Sequence, residues 1–398
     1  MDVLDDFAAA AAHASPRPLV SRRNILAYVH LRNIYNSTGA GRTARQIIEH
    51  LAVRGDVNLR ILADAGDHDR IVPLVQEPWT GFQYHTFTSE TTHQQARWFL
   101  LDGPKAESFW PDADVVFCTA ESYVPVTRAK LVMTTHDAAY FEQGAHVRDA
   151  AYWKTRLKWE LLYRKLARRV DLFHTVSHFS ADRLAHFFPS MRDRIRVVHN
   201  GVTPYFFQPV PVAGIAYLAH EKLDQGPYVL VPGGLHFRKN AELILKGIPH
   251  LLARFPQLVV AIVNHTNPVY AERARALGDR VRMLGFVSDE ALHALYSHAE
   301  VVWFPSRYEG FGLPVVEAMA CGTPVVASNS SSIPEIAGSA ALLADPSDAA
   351  AHVTAITSLL TDPLARQQFA AAGRERASTF TWTSTANQLK QYFDSLFA

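Results

Sequence analysis

Phe304-Pro-Ser-Arg-Tyr-Glu-Gly-Phe-Gly-Leu-Pro-Val-Val-Glu-Ala-Met-Ala-Cys-Gly-Thr-Pro324 decides how the rest of the chain is read. It leaves an apolar run at Val301–Phe304, crosses a glycine-rich loop, enters a helix at Leu313–Pro314 and leads into a second apolar run at Val325–Ala327. Proline suits a first helical turn, where its missing N–H would have no partner anyway. The free N–H groups and positive dipole end of that helix suit an anion. Gly310 and Gly312 let a ligand approach the backbone with no Cβ in the way. Two carboxylates bracket the turn, Glu309 in the loop and Glu317 in the helix. A carboxylate repels phosphate but accepts hydrogen bonds from the hydroxyls of a sugar or a ribose. A surface loop glutamate followed by a dipole-favoured first-turn glutamate is the plainer explanation, and the two carboxylates alone do not choose between them.

Outward from this stretch, short β-branched or apolar runs alternate with helical segments along the chain. They are Ile25–Leu31, Leu59–Leu62, Asp114–Cys118, Leu131–Thr135, Leu172–Val176 and Ile195–Val198, then Tyr228–Val231, Leu258–Val263, Val281–Leu284, Val301–Phe304, Pro324–Ala327 and Ala341–Leu343. Continuous runs of this length predict buried parallel strands, and the alternation predicts an α/β fold with a doubly wound sheet in each half. With 398 residues the chain has room for two large domains. The division falls at Thr203–Gln225, where Pro204, Pro209, Pro211 and Gly214 interrupt any periodic core pattern. The expected units are an extension over 1–20, a Rossmann-like domain over 21–205 and a second over 206–380. Two such units facing each other bind ligands in the crevice at the carboxyl ends of their strands.

Hydrophobic residues at 48% supply ample core, and a net charge of +1 gives no global pull toward nucleic acid. Cys118 and Cys321, far apart, exclude a disulfide framework or a cysteine zinc site and fit a reducing cytoplasmic compartment. The acidic opening (Asp2, Asp5, Asp6) and short Ala8–Ala12 run do not fit a secretory signal, and no window reads as a membrane span.

Glu309 and Glu317, seven residues apart in a Gly-Phe-Gly-Leu-Pro setting, resemble the E-x7-E motif of the retaining glycosyltransferases of family 4, which have the GT-B fold. The likeness continues through Gly322-Thr-Pro-Val-Val326 and Pro334-Glu335 to Asp345-Pro346, and covers nearly everything from Ile25 to the end. It implies two Rossmann-like domains facing across a cleft, with a final helix over 381–398 crossing back to the first. It implies that Glu309 holds the donor sugar, that Glu317 holds the ribose, and that the amides of Gly310, Phe311, Gly312 and Leu313 cradle sugar and phosphate. Gly233-Gly-Leu-His-Phe-Arg-Lys-Asn240 follows the first strand of the second half. There Arg238 and Lys239, beside Gly234, are placed to neutralise a diphosphate leaving group. Leu284-Gly-Phe-Val-Ser-Asp289 resembles the loop whose backbone, at Phe286 and Val287, reads the base; a strand, turn and N-cap explain Ser288 and Asp289 equally well. Thr134-Thr-His-Asp137 ends a strand and matches the family's cleft histidine. His136 alone would pass for a satisfied structural residue; within the pattern it is expected to contact the donor sugar or its reacting centre. His199-Asn-Gly-Val202 reads as structural closure of the first domain.

The branch most resembled, over Tyr308–Asp345, is that of mannosyltransferases. The expected donor is GDP-mannose, with UDP-glucose or a related UDP-hexose next. The expected acceptor is a saccharide or lipid-linked sugar in surface polysaccharide or glycolipid synthesis. A rival class comes from Thr38-Gly-Ala-Gly-Arg-Thr-Ala44, which also spells the loose dinucleotide fingerprint G-x-G-x-x-A, with Asp64 as ribose partner. That would make the protein an NAD-dependent oxidoreductase, but Arg32–Thr38 lie between strand and first glycine, where the fingerprint turn follows its strand closely. In the resembled family, Gly39 and Gly41 instead approach the donor diphosphate and the acceptor, where Arg42 could add charge. A silent regulator that binds a nucleotide sugar without turnover is a third class. Asp112-Ala-Asp114 and Asp67-His-Asp69 spell D-x-D, a metal motif in other glycosyltransferases. Both are read as solvated aspartates. No metal and no other cofactor is expected, since Arg238, Lys239 and the helix terminus already compensate the charge.

One segment lies outside the family pattern. Over Tyr152–Val170, Lys154, Lys158, Arg164, Lys165, Arg168 and Arg169 share one helical face and Trp159, Leu162, Tyr163, Leu166 and Val170 a largely opposite one, with Leu157 and Leu161 on the basic side. A core-packed helix with a solvated basic surface accounts for this. So does a peripheral contact with anionic lipid at the inner membrane face.

Overall fold

The computed structural model describes residues 22–36, 38–142, 145–147 and 149–398; the expected extension over 1–20 lies outside them. The first half builds a parallel sheet from β1 (Arg23–Tyr28), β2 (Val57–Asp64), β3 (Tyr84–Phe87), β4 (Val115–Cys118), β5 (Lys130–Thr135), β6 (Leu172–Thr175) and β7 (Ile195–Val197), in the order β3-β2-β1-β4-β5-β6-β7. The second half repeats the plan with β8 (Tyr228–Val231), β9 (Val259–Val263), β10 (Val281–Gly285), β11 (Val301–Phe304), β12 (Val325–Ser328) and β13 (Leu342–Ala344), in the order β10-β9-β8-β11-β12-β13. Strands β4, β8, β11 and β12 are buried on both faces, which is why they read as unbroken apolar runs.

In each sheet the chain starts in the middle, winds to one edge, returns and winds to the other. The direction reverses between β1 and β4 in the first sheet and between β8 and β11 in the second. The loops leaving those strands diverge and leave a crevice at their carboxyl ends. The loop after β8 carries Gly233–Asn240, and the loop after β11 carries Pro305–Gly312. Topology alone therefore brings Arg238 and Lys239 beside Glu309.

Two features depart from the pattern legible in the sequence. Strand β3 had no signal, because Tyr84-His-Thr-Phe87 is a four-residue edge strand buried only at Phe87. The Thr203–Gln225 division holds a helix, Val212–His220. Its apolar character goes into packing on the Asp289–His298 helix, where a Cβ on Gly214 would lie 2.4 Å from the Glu290 carbonyl oxygen.

The last helix, Trp382–Ser395, leaves the second half and buries Trp382, Ala386, Leu389 and Phe393 in the core of the first. Backbone meets backbone so closely there that a Cβ on Gly201 would lie 2.2 Å from the Trp382 nitrogen. Among the described residues no helix is long and apolar enough to cross a membrane. Phe393 is fully buried, 5.4 Å from the Phe117 ring centroid. Phe393→Ala should cost about 3–5 kcal/mol, the usual range for a buried phenylalanine cavity. Urea unfolding checks it, and a loss under 1 kcal/mol would mean that the helix adds little to the first core.

Candidate functional site

In the second half, the two loops at the crevice are tied to each other before any ligand is considered. Asn240, in the left-handed region at φ 64°, donates from Nδ2 to the carbonyls of Pro305 at 3.0 Å and Pro346 at 2.7 Å. The Arg307 N–H donates to the Arg238 carbonyl at 2.9 Å. Gly234, at φ 66°, lets its turn pass so close to the next loop that a Cβ would lie 1.9 Å from the His265 carbonyl oxygen. Held this way, Lys239 donates to the Glu309 carboxylate at 2.5 Å, and both side chains are nearly sealed from water. Burial pushes the Lys239 ammonium below its ordinary range and Glu309 only partly restores it. Burial also works against charge on Glu309, but Lys239 and Arg238 outweigh it and hold that carboxyl below its ordinary range.

The first half closes onto the turn between the two glutamates. A Cβ on Gly310 would lie 2.2 Å from the His136 carbonyl oxygen, so only glycine allows the two halves to meet at this point. Ser177 Oγ donates to the Gly310 carbonyl at 2.6 Å, and Ser180 Oγ reaches the Gly310 and His136 carbonyls at 3.1 and 3.2 Å. The expectation that Gly310 makes way for a ligand is thus corrected in part: what presses on it is the other half of the same chain. Gly312 takes φ 102° as the cap of the Leu313–Ala320 helix, with Pro314 in the first turn.

This contact lays His136 and Asp137 beside the Arg238-Lys239-Glu309 group. Arg238 Nη1 donates to Asp137 Oδ2 across the cleft at 3.2 Å. The His136 N–H donates to Glu121 at 2.7 Å, and burial pushes that carboxyl up. The His136 ring nitrogen Nε2 is buried and has no hydrogen-bond partner among the described residues. A buried orphan of this kind invites a ligand group. Glu121 went unread in the sequence because it sits in no recognisable spacing, and Asp137 stood in the quoted Thr134–Asp137 motif without a role of its own.

Glu317 lies beyond the first helical turn and is 6% exposed, so attraction to the dipole does not explain it. Burial pushes its carboxyl above the ordinary range against the pull of Arg42. Tyr296 Oη donates to one oxygen at 3.1 Å and Arg42 Nη1 to the other at 3.2 Å. Arg42 also reaches Asp289 at 2.6 Å. Phe286 stands 76% exposed just past β10, with Val287 partly packed on the core. Gly39 has open space where a side chain would be, whereas a Cβ on Gly41 would lie 1.9 Å from the Asn33 carbonyl oxygen. Asn33 belongs to a short helix, Leu31–Tyr35, interposed between β1 and the Gly39–Ala52 helix. The dinucleotide reading finds no support in this arrangement, because the glycines do not form a turn directly after the strand and Gly41 seats one helix on another.

The D-x-D readings divide. Asp69 is exposed, but Asp67 is 4% exposed and bonded to Arg32 and Arg70, a structural ion pair rather than a solvated aspartate. Among the described residues, one trio could offer ligand atoms to a metal: His178, His199 and Glu335, within 4.8 Å of one another. Its carboxylate is already occupied. Glu335, from the second half, accepts the N–H groups of His178 and Phe179 at 2.9 and 3.0 Å, capping the His178–Phe187 helix of the first half, and pairs with His199 Nε2 at 2.6 Å. The trio is a clasp between the halves.

Known proteins resemble the chain in both sequence and fold. The family model described as Glycosyltransferase Family 4 matches residues 37–205, and that described as Glycosyl transferases group 1 matches residues 219–376. The O-antigen chain mannosyltransferase B of Escherichia coli is 29% identical over 368 residues, covering 89% of this chain and 95% of the relative. The MMP alpha-(1->4)-mannosyltransferase of Mycolicibacterium hassiacum is 30% identical over 289 residues, 67% of this chain and 66% of its own length. The fold is that of the sucrose-phosphate synthase of Thermosynechococcus elongatus (TM-score 0.71, 24% identity, 94% of this chain and 99% of that one). It is also that of WaaG, a glycosyltransferase involved in lipopolysaccharide biosynthesis (TM-score 0.70, 16% identity, 92% and 98%).

The clasp generates its own prediction. Burial works against charge on Glu335, but His199 and the two N–H groups outweigh it and hold the carboxyl below its ordinary 4.5. Its stabilising contribution is therefore present above that value and fades as pH falls through the depressed one. Glu335→Gln should cost about 1–3 kcal/mol near neutral pH, and the gap in thermal midpoint from wild type should narrow below pH 4.5. A variant with an unchanged midpoint at neutral pH would mean the clasp contributes nothing.

Proposed function

The chain belongs to glycosyltransferase family 4, and from that premise we propose that it is a retaining hexosyltransferase that takes mannose from GDP-mannose. The acceptor in this reading is a saccharide or lipid-linked sugar in surface polysaccharide or glycolipid synthesis. The observation that carries it is the meeting of Arg238, Lys239 and Glu309 in the crevice, with Asp137 paired to Arg238 from the other half and the orphaned ring nitrogen on the adjoining residue, His136. Two cations, a carboxylate and a buried hydrogen-bonding group suit a hexose joined to a diphosphate. The mannose donor is favoured by the relatives named above as mannosyltransferases.

In this reading the diphosphate lies against Arg238, Lys239 and the start of the Leu313–Ala320 helix, with Gly39 facing it across the cleft. As the bond from the anomeric carbon to the phosphate oxygen breaks and the acceptor hydroxyl oxygen bonds to that carbon on the same face, the departing oxygen gains negative charge and takes up the hydroxyl proton. Fixed cations and N–H dipoles stabilise that charge without reorganising. Glu309 accepts from hydroxyls of the hexose, His136 Nε2 meets the sugar, Glu317 accepts from the ribose, and Phe286 and Val287 meet the base. Because these groups supply the compensating charge, turnover is proposed to need no divalent metal.

The partner surface we propose is anionic membrane. The helix spans Ala150–Arg169, and Tyr163 and Leu166 lock one face into the core. Leu157 and Leu161, the two residues that spoiled the separation of faces in the sequence, are 58% and 47% exposed, next to the exposed Lys154, Lys158 and Arg164. Leu100 and Leu101, 74% and 73% exposed, end the neighbouring helix, whose Phe99 carbonyl accepts from Lys165. Lys165 and Arg169 turn aside toward Asp102. Apolar side chains set among cations match an interfacial contact.

Three measurements test these readings. Arg238→Ala removes charge-assisted bonds of about 1.5–3 kcal/mol each and should slow transfer by about one to two decades; a wild-type rate would sink the diphosphate assignment. A thermal-shift panel of GDP, UDP, ADP and NAD, each with and without EDTA, should respond to GDP and be indifferent to EDTA. A response to UDP alone would replace the donor with a UDP-hexose. Pelleting with phosphatidylglycerol vesicles should be lost in high salt and in the double variant Lys154→Glu, Lys158→Glu; binding insensitive to both would remove the membrane reading.

A further inference from the structure

A single guanidinium bridges the two halves at the cavity behind the Glu309–Glu317 turn. Arg42 stands in the first turn of the Gly39–Ala52 helix, in the first half, and both of its anionic partners, Glu317 and Asp289, belong to the second. The cavity, of about 290 Å³, is lined by Arg42, Asp289 and Glu317 together with Tyr205, Phe206 and Trp382. It is near the lower size limit of small-molecule pockets, roughly 300 Å³.

The two ends of the bridge are unlike. Asp289 has a side chain 60% exposed, so its pairing with Arg42 is screened by water. The Glu317 side chain is 8% exposed, and Arg42 is the one cation paired with it among the described residues. Tyr296 serves its other oxygen. A buried carboxylate is costly to leave without donors. Whatever displaces Arg42 from this oxygen must itself bring a hydrogen-bond donor, and a vicinal diol brings two. Carboxylate and guanidinium line the same cavity, so a ligand reaching this oxygen meets Arg42 there.

We propose that Arg42 is a latch: it holds the two halves together at the cleft by occupying Glu317, and it yields that carboxylate to the ribose diol of the donor. The latch rests on the reading of the cleft as a nucleotide-sugar site and makes Arg42 a positioning residue that acts through Glu317. The consequence runs against simple electrostatics. Removing this cation should strengthen the binding of an anionic nucleotide, because the diol no longer competes for the carboxylate. The gain should be larger for nucleotides that carry the diol, since a nucleotide without it profits from the freed halves but not from the freed carboxylate.

Titration calorimetry of wild type and Arg42→Ala with GDP and with 2′,3′-dideoxy-GDP reads this directly, with the UDP pair in parallel. Arg42→Ala should bind the ribonucleotide about tenfold more tightly, a difference of about 1.4 kcal/mol, and the dideoxy form should gain clearly less; an equal gain for both would remove the competition with the diol. Arg42→Lys keeps the charge without the fork that spans two carboxylates and should fall between. Equal weakening of both ligands would mean that Arg42 grips the phosphates and would overturn the latch, as would no change in either. Small-angle scattering of the ligand-free proteins supplies the second arm. Arg42→Ala should have the larger radius of gyration, and an unchanged radius would count against a latch even if affinities moved. If wild type binds none of the four nucleotides, the nucleotide-sugar reading fails, while the scattering arm still reports whether Arg42 holds the halves together.

Discussion

The arrangement of the cleft depends on one close approach, the backbone of Gly310 against the carbonyl of His136. A side chain at position 310 would lie 2.2 Å from that oxygen, so the two sheets can face each other at this distance only through a glycine. Everything polar in the site is registered by that contact. It sets Ser177 and Ser180 onto the Gly310 carbonyl and puts Asp137 within reach of Arg238. The doubly wound topology supplies the loops, and the glycine supplies their separation.

A second consequence is that the charges of the cleft are spent on one another. Lys239 is paired with Glu309, Arg238 with Asp137, and Arg42 with Glu317 and Asp289. Two of these three arrangements cross between the halves, as does Glu335 with His199. Leaving the nearly sealed ions Lys239, Glu309 and Glu317 unpaired would cost several kcal/mol each, so their mutual pairing is a condition of the closed arrangement. A diphosphate entering such a site exchanges partners rather than filling a waiting positive hole, and the carboxylates it frees need hydrogen-bond donors. A hexose and a ribose bring hydroxyls in the required number and polarity. A bare diphosphate does not, which gives a physical reason for a site built from equal parts cation and carboxylate to favour a sugar nucleotide over its leaving group.

Much of this was legible in the chain itself. Among the described residues, twelve of the thirteen strands announce themselves as apolar runs, most plainly β4, β8, β11 and β12, which are covered on both faces; the exception, β3, is a four-residue edge buried only at Phe87. Glu309, Glu317, Arg238 and Lys239 could be picked out because loops and helix starts carry their signals over a few residues. Pairings between distant segments left no such trace. Glu335 and His199 both stood in quoted motifs, but nothing local says that residues 136 positions apart share a hydrogen bond. The glycines misled for a related reason. A glycine reports that something comes close and is silent about what, so Gly41 and Gly310 read as room for a ligand when backbone from elsewhere in the chain takes the space.

The helix over Ala150–Arg169 carries the same lesson from the opposite side. Read from sequence, it divides a basic face from an apolar one, with Leu157 and Leu161 on the basic side. The fold uses the apolar face for the core and leaves those two leucines in solvent among lysines, at a cost that hydration alone does not repay. Scattered surface leucines need no explanation, but these stand beside Leu100 and Leu101 from the adjacent helix. Both helices belong to the first half, whereas Arg238, Lys239 and both motif glutamates belong to the second. A surface that engaged lipid through the first half would hold that half at the membrane and leave the second free to open for its soluble donor. The division of the fold into two sheets would then correspond to a division between where the acceptor is found and where the donor arrives.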